Sequence, residues 1–191
     1  MSPKILALSG SLRTDSFNQR LVRLAARMAE ANGSAVTVIS LREFDLPLFD
    51  EDLERERGLP DDAVRLKDLF KAHHGFLIAC PEYNSSITPA LKNAIDWVSR
   101  PRQGERPLEC FAGKVAGLCA ASPGVLGGLR GLYHVREILC NIGVHVVPKL
   151  VAVNAAHESL ADDAGLSDPH RGRLESMVRQ LCDTCGALHP N

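Results

Sequence analysis

Ile5-Leu6-Ala7-Leu8-Ser9-Gly10-Ser11-Leu12-Arg13-Thr14-Asp15-Ser16-Phe17-Asn18 opens the chain with an apolar run that breaks into a hydroxyl-rich loop. A short apolar run closed by Ser and Gly reads as a strand covered on both faces. Beyond the loop, Ser16 and Gln19 have the spacing of a capping box, and Gly33 supplies a helix stop. The same order returns at Phe76-Leu77-Ile78-Ala79-Cys80, followed by Pro81-Glu82-Tyr83-Asn84-Ser85-Ser86-Ile87-Thr88-Pro89. There Thr88 suits an N-cap and Pro89 the first position of a helix running to about Ser99.

Outward from these blocks, apolar runs alternate with helical patterns. Strands are predicted over Lys4–Ser9, Ala35–Leu41, Gly75–Cys80, Lys114–Ala121 and Val144–Val153. Further helices are predicted over Asp61–His73, Leu126–Ile142 (with Gly143 as stop) and His170–Leu188. Such alternation defines an α/β fold, a doubly wound five-stranded parallel sheet of order 2-1-3-4-5. That order puts the switch point between strands one and three, which are followed by the two blocks above. Strand four lies beside strand three and runs into Ser122-Pro123-Gly124-Val125-Leu126-Gly127-Gly128, so three specialised loops converge on one edge. Arg42–Pro60 reads as a long acidic loop and Pro101–Pro107 as a shorter polar one. No repeat or linker interrupts the chain, and residues 1–191 read as a single domain.

With 45% hydrophobic and 24% charged residues, the chain has the composition of an ordinary globular protein. A formal net charge of -1 offers no electrostatic reason to expect nucleic acid or a membrane surface as partner. The apolar run at the N-terminus is too short for a signal peptide, and no stretch approaches the roughly 20 apolar residues of a membrane span. A cytoplasmic location is expected. Cys80, Cys119 and Cys140 lie in apolar runs and read as small buried hydrophobes, with Cys110 in a loop or at a strand start. Cys182 and Cys185 have CxxC spacing but fall on the last predicted helix, with no second pair or histidine set to complete a metal site. Structural thiols, and no metal, are expected.

The loops carry the chemistry. A helix N-terminus binds anions through unpaired N–H groups. Here Ser9, Ser11, Ser16 and Asn18 add side-chain donors and Arg13 adds a full charge, while Asp15 should point to solvent. Neither GxxxxGK[ST] nor GxGxxG is present, so the loop suits a single terminal phosphate, although one such hydroxyl could simply cap the helix. The Pro81–Ser86 segment suits a flat polar ring, which Tyr83 can cover, and Gly124, Gly127 and Gly128 permit close backbone approach. Together the loops suggest a phosphorylated aromatic cofactor. Trp97 reads either as core or as a residue near a surface that needs a partner. An open site edge then favours a homodimer, or a homotetramer built from it. Arg100 and Arg102 are candidates for a 2′-phosphate, though such arginines are usually solvated.

Gly10-Ser11-Leu12-Arg13 with Ser16 and Asn18, then Pro81-Glu82-Tyr83-Asn84, then Leu91-Lys92-Asn93-Ala94-Ile95-Asp96-Trp97, resembles the NADPH-dependent FMN reductase family over nearly the whole chain. The resemblance implies a flavodoxin-like fold and FMN as cofactor, in a family that includes quinone, azo-dye and chromate reductases. It implies that Ser11, Arg13, Ser16 and Asn18 hold the FMN phosphate. Pro81, Glu82, Tyr83 and Asn84, with Ser122 to Gly127 including Gly124, would hold the isoalloxazine. It also implies a ping-pong cycle. NAD(P)H delivers hydride to the flavin N5 and leaves, and a quinone, flavin, azo or metal-oxyanion acceptor takes its place. Backbone donors near Asn84 and Gly124 would stabilise the reduced ring. No catalytic side chain is required, and Tyr83 and Asn84 are the candidates for influence on the flavin. Two other classes compete. A flavodoxin-like electron carrier would dock basic partners through a strongly acidic surface, which a charge of -1 does not supply. A serine hydrolase would need a GxSxG elbow, which is missing.

Overall fold

Strands β1 (Lys4–Ser9), β2 (Ala35–Ser40), β3 (Gly75–Ala79), β4 (Val115–Ala121) and β5 (His145–Val153) pair in the order β2-β1-β3-β4-β5, every neighbouring pair parallel. The computed structural model describes residues 2–160 and 165–190. The three central strands are buried almost throughout, as their unbroken apolar sequences require, whereas β2 and β5 at the edges mix buried with exposed positions. Pro148 is tolerated in β5 because it lies on an edge strand, where the register with β4 shifts between Ala116 and Leu118.

Helices α1 (Phe17–Ala31), α3 (Asp61–Ala72), α4 (Pro89–Ser99), α5 (Leu129–Asn141) and α6 (His170–Leu188) cover the sheet, while α2 (Glu51–Arg57) buries no residue. Alternation along each strand divides the core. Ile5, Ala7, Leu77 and Cys119 face α1 and α6, and Leu6, Leu8, Phe76 and Ile78 face α3, α4 and α5. Gly75 and Gly117 allow α6 to lie close to the sheet. A Cβ on either glycine would collide with Cys185 or Met177.

Several predictions need correction. Ser16 is the N-cap of α1, yet its side chain makes no capping bond, and Gln19 is buried rather than reaching back to form a capping box. Helix α5 begins at Leu129, not Leu126, because Gly127 and Gly128 hold positive φ of 61° and 89°. Cys140 is exposed, while Cys80, Cys110, Cys119, Cys182 and Cys185 are buried, and all six are free thiols.

The Arg42–Pro60 segment is an ordered strap that includes α2, and Trp97 anchors it. The Trp97 Nε1–H donates to the Pro47 carbonyl at 2.7 Å, Asn93 Nδ2 donates to the same oxygen at 2.9 Å, and the Phe49 ring meets Trp97 edge-on at 4.9 Å. Trp97 is fully buried within its own chain, so it is not the partner-seeking surface residue of the alternative reading. Pro101–Pro107 is also pinned. Buried Lys67 donates to the carbonyls of Val98, in the last turn of α4, and Arg100, its C-cap, and pairs with Glu105 at 3.2 Å. Glu105 also pairs with Lys71 at 3.0 Å and Arg102 at 2.8 Å. Burial opposes its ionisation, but the bonds from Arg102, Lys71 and Lys67 outweigh burial and hold its carboxyl well below the usual range.

Candidate functional site

The loops leaving β1, β3 and β4 are stitched together at the carboxyl edge of the sheet. Gly10 N–H donates to the Ala79 carbonyl at 2.9 Å, and the Thr88 hydroxyl donates to the Gly10 carbonyl at 2.6 Å while accepting from Leu91 N–H. Residue 10 has little room for a side chain. A Cβ there would lie 3.0 to 3.2 Å from Leu91 and Pro81. Asn18 fastens the first turn of α1 to the end of β4, its Nδ2 donating to the Ala121 carbonyl at 2.8 Å and its Oδ1 accepting from Ala121 N–H at 2.9 Å. A cleft of about 230 Å³ opens where the three loops meet.

One part of the cleft is cationic and rich in hydroxyls. Ser11, Arg13, Ser16, Phe17 and Asn18 line it. Ser9 Oγ accepts from Ser11 N–H and Ser11 Oγ from Arg13 N–H, each at 3.2 Å, which curls the loop and leaves both hydroxyl hydrogens to donate elsewhere. The first intrahelical bond of α1 runs from Arg20 N–H to the Ser16 carbonyl, so the N–H groups of Phe17, Asn18 and Gln19 lack helical acceptors. No acidic residue lies in that turn to neutralise its positive end. Asp15 is exposed, as expected. Asn18 keeps one amide hydrogen after tying down Ala121, so its main task is positional.

The other part is built from two prolines, Tyr83 and the end of β4. Pro81, Glu82 and Tyr83 line it together with Ala121, Ser122 and Pro123. Glu82–Tyr83 pairs with Ser86–Ile87 as a small hairpin. Asn84 and Ser85, with φ of 50° and 66°, form its two-residue turn, a primed geometry that matches strand twist. Asn84 is therefore an exposed turn residue outside the cleft lining. The Glu82 carboxylate faces α5, accepting from Arg130 Nε at 2.8 Å and from Gly131 N–H at 3.0 Å. Burial pushes its pKa up, but the Gly131 N–H and the Arg130 guanidinium outweigh burial and keep it below the usual value. Glu82 thus locks the hairpin to α5. Gly124 N–H is taken by Ser122 Oγ, and a Cβ at Gly127 would strike the backbone of Val153 at 2.7 Å. These two glycines shape the third loop without lining the cleft.

Sequence reasoning did not find Phe17 and His157, whose rings meet edge-on at 4.7 Å in the cleft wall. His157 lies on a single helical turn, Ala156–Ser159, after β5, where no motif or stop signal marked it. Among the described residues no helix is long and apolar enough to cross a membrane, and no cluster of His, Cys, Asp and Glu could hold a metal ion.

The strand order, with the uncapped N-terminus of α1 beside the Tyr83 hairpin at its switch point, defines a flavodoxin-like α/β protein. Within that class the chain belongs to the NADPH-dependent FMN reductase family, matched over residues 3–158. It is similar to the quinone reductase of Escherichia coli (strain K12), at 33% identity over 93% of this chain and 91% of the relative. It is also similar to the NAD(P)H-dependent FMN reductase PA1204 of Pseudomonas aeruginosa, at 34% identity over 93% and 92%. Among solved structures it is similar to FerB, a flavoenzyme NAD(P)H:(acceptor) oxidoreductase from Paracoccus denitrificans. That match has a TM-score of 0.79 and 28% identity, covering 97% of this chain and 98% of the other. The protein is an FMN-dependent NAD(P)H oxidoreductase.

Proposed function

We propose that the cleft holds FMN with its phosphate at the N-terminus of α1 and its ring between the Tyr83 hairpin and the Ser122–Pro123 turn. The observation that carries this reading is the uncapped first turn of α1. Its N-cap hydroxyl, three N–H groups and the nearby Arg13 point to an anion that the chain does not itself supply. The donor set fits a phosphate dianion, and the apolar and aromatic surfaces beside it fit a planar ring. Bound FMN supplies hydride acceptance from NAD(P)H and hydride delivery to an acceptor. The chain's part is binding and orientation. Ser11, Ser16 and Arg13 hold the phosphate, Pro81 and Tyr83 cover the ring, and Asn18 and Glu82 keep the walls in register.

The acceptor we infer is a quinone, the substrate class in the name of the Escherichia coli relative, with flavins, azo compounds and metal oxyanions able to occupy the same open place. Val125 and Leu126 on the third loop and Tyr133 on α5 are exposed apolar side chains, suited to a second copy in a homodimer or homotetramer. Six free thiols suit the reducing cytoplasm.

The test is titration of flavin-free protein with FMN and riboflavin, followed by steady-state NAD(P)H oxidation with a quinone. FMN should bind at least tenfold tighter, and turnover should require it. Equal affinity for the two flavins refutes the phosphate assignment. Bound FMN without turnover would favour an electron carrier.

A further inference from the structure

A second depression, of about 440 Å³, adjoins the cleft and shares Arg13 and Tyr83 with it. Leu12 and Pro89 give it apolar walls with Tyr83, and Arg42 supplies a further charge. Leu12 and Tyr83 are each 49% exposed, which leaves apolar surface on both sides of the groove available to a ligand. Arg42 is held in place by donating through Nη1 to the Leu12 carbonyl at 2.6 Å, and its remaining N–H groups are left for other acceptors. Among the described residues no carboxylate pairs with Arg42 or Arg13.

Arg100 and Arg102, the two candidates for a 2′-phosphate in the sequence, are both committed elsewhere. Arg100 pairs with Glu54 at 2.8 Å, and Arg102 with Asp68 at 2.6 Å and Glu105 at 2.8 Å. A nucleotide whose reactive end lies over the flavin must carry its other half onto the neighbouring surface. This groove offers apolar walls for a base and a fixed guanidinium for a phosphate, the combination that Arg serves best.

We propose that the groove binds the adenosine half of NADPH, with Leu12, Tyr83 and Pro89 flanking the base and Arg42 receiving the 2′-phosphate. The assignment rests on the reading that the adjoining cleft holds FMN. The nucleotide selectivity of the enzyme then comes from one residue in the turn after β2, a segment remote from the flavin motifs in sequence.

The experiment uses the FMN-loaded enzyme and two variants. Arg42→Met removes the charge and the donors, and Arg42→Gln removes the charge while keeping an N–H for the Leu12 carbonyl. Two ratios are read. One is kcat/KM for NADPH over NADH. The other is calorimetric affinity for adenosine 2′,5′-bisphosphate over adenosine 5′-monophosphate. Both variants should lower both ratios at least tenfold, with FMN content by absorbance equal to wild type. A variant that retains FMN and the wild-type ratios overturns the assignment alone. So does a wild-type enzyme that binds the two adenosine nucleotides equally. Wild-type protein that retains no FMN overturns the cleft reading and this assignment with it.

Discussion

Ser16→Ala separates a structural serine from a ligand-binding one, because the two roles predict opposite outcomes. A serine that caps its helix costs about 1 kcal/mol of stability when replaced by alanine. Ser16 occupies the N-cap position without making the capping bond, so the flavin-free protein should lose less than about 0.5 kcal/mol. Ser16 as a residue is only 4% exposed, and a hydrogen bond from a buried hydroxyl to a charged phosphate is worth about 1.5 to 3 kcal/mol. FMN affinity should therefore fall roughly 10- to 150-fold. Riboflavin, which lacks the phosphate, should bind within about twofold of wild type, a change of only about 0.4 kcal/mol. Arg13→Ala provides the comparison. Arg13 is exposed, so its loss should sit near the lower bound, about 1.5 kcal/mol at low salt, and shrink as salt is added. Flavin fluorescence titration and denaturant unfolding measure the two quantities. If Ser16→Ala weakened FMN and riboflavin equally, or destabilised the protein by about 1 kcal/mol while leaving FMN binding intact, the phosphate assignment would fail.

Other consequences follow from the packing around α4 and α6. Trp97→Phe keeps most of the ring but leaves the Pro47 carbonyl without the indole donor, and should cost about 1 to 2 kcal/mol. Its sedimentation should match wild type, and weakened self-association at unchanged stability would return Trp97 to an interface role. Glu105 has a folded-state pKa below the roughly 4.3 of an unfolded glutamate, so its contribution is present above that pH and is lost as pH falls through and below it. Between pH 5 and 2, wild type should therefore lose stability with a steeper slope than Glu105→Gln, and parallel slopes would rule out this role. Cys182→Ser combined with Cys185→Ser should leave NAD(P)H oxidation at the wild-type rate, since both thiols are buried and burial pushes Cys185 up to about 12. A large loss of rate with FMN still bound would make them a redox pair.

Much of the fold and most of the cleft lining were legible in the chain because their signals are local. Apolar runs such as Phe76–Cys80 read as buried strands whatever surrounds them, and alternation with helical patterns leaves few topologies. Ser11, Arg13 and Ser16 were legible for the same reason, since a loop entering a helix presents its hydroxyls and N–H groups together. The acidic strap was not. The Arg42–Pro60 composition reads as solvated loop, and its order comes from the Trp97, Asn93 and Arg100 side chains more than 30 residues away.

The sequence by itself determined the strand order, the switch point and the chemistry that collects there, because periodicity and turn residues act over a few neighbours. Only the tertiary structure decided which of those residues face the cleft. Asn84 went to a hairpin turn, Gly127 against Val153, and the Glu82 carboxylate to Arg130, while His157 arrived from the far end of the sheet. It also decided which arginines keep their charge unpaired, Arg42 rather than Arg100 or Arg102. Side-chain direction and ion pairing depend on partners brought together by the folded chain, and those partners leave no mark on local sequence.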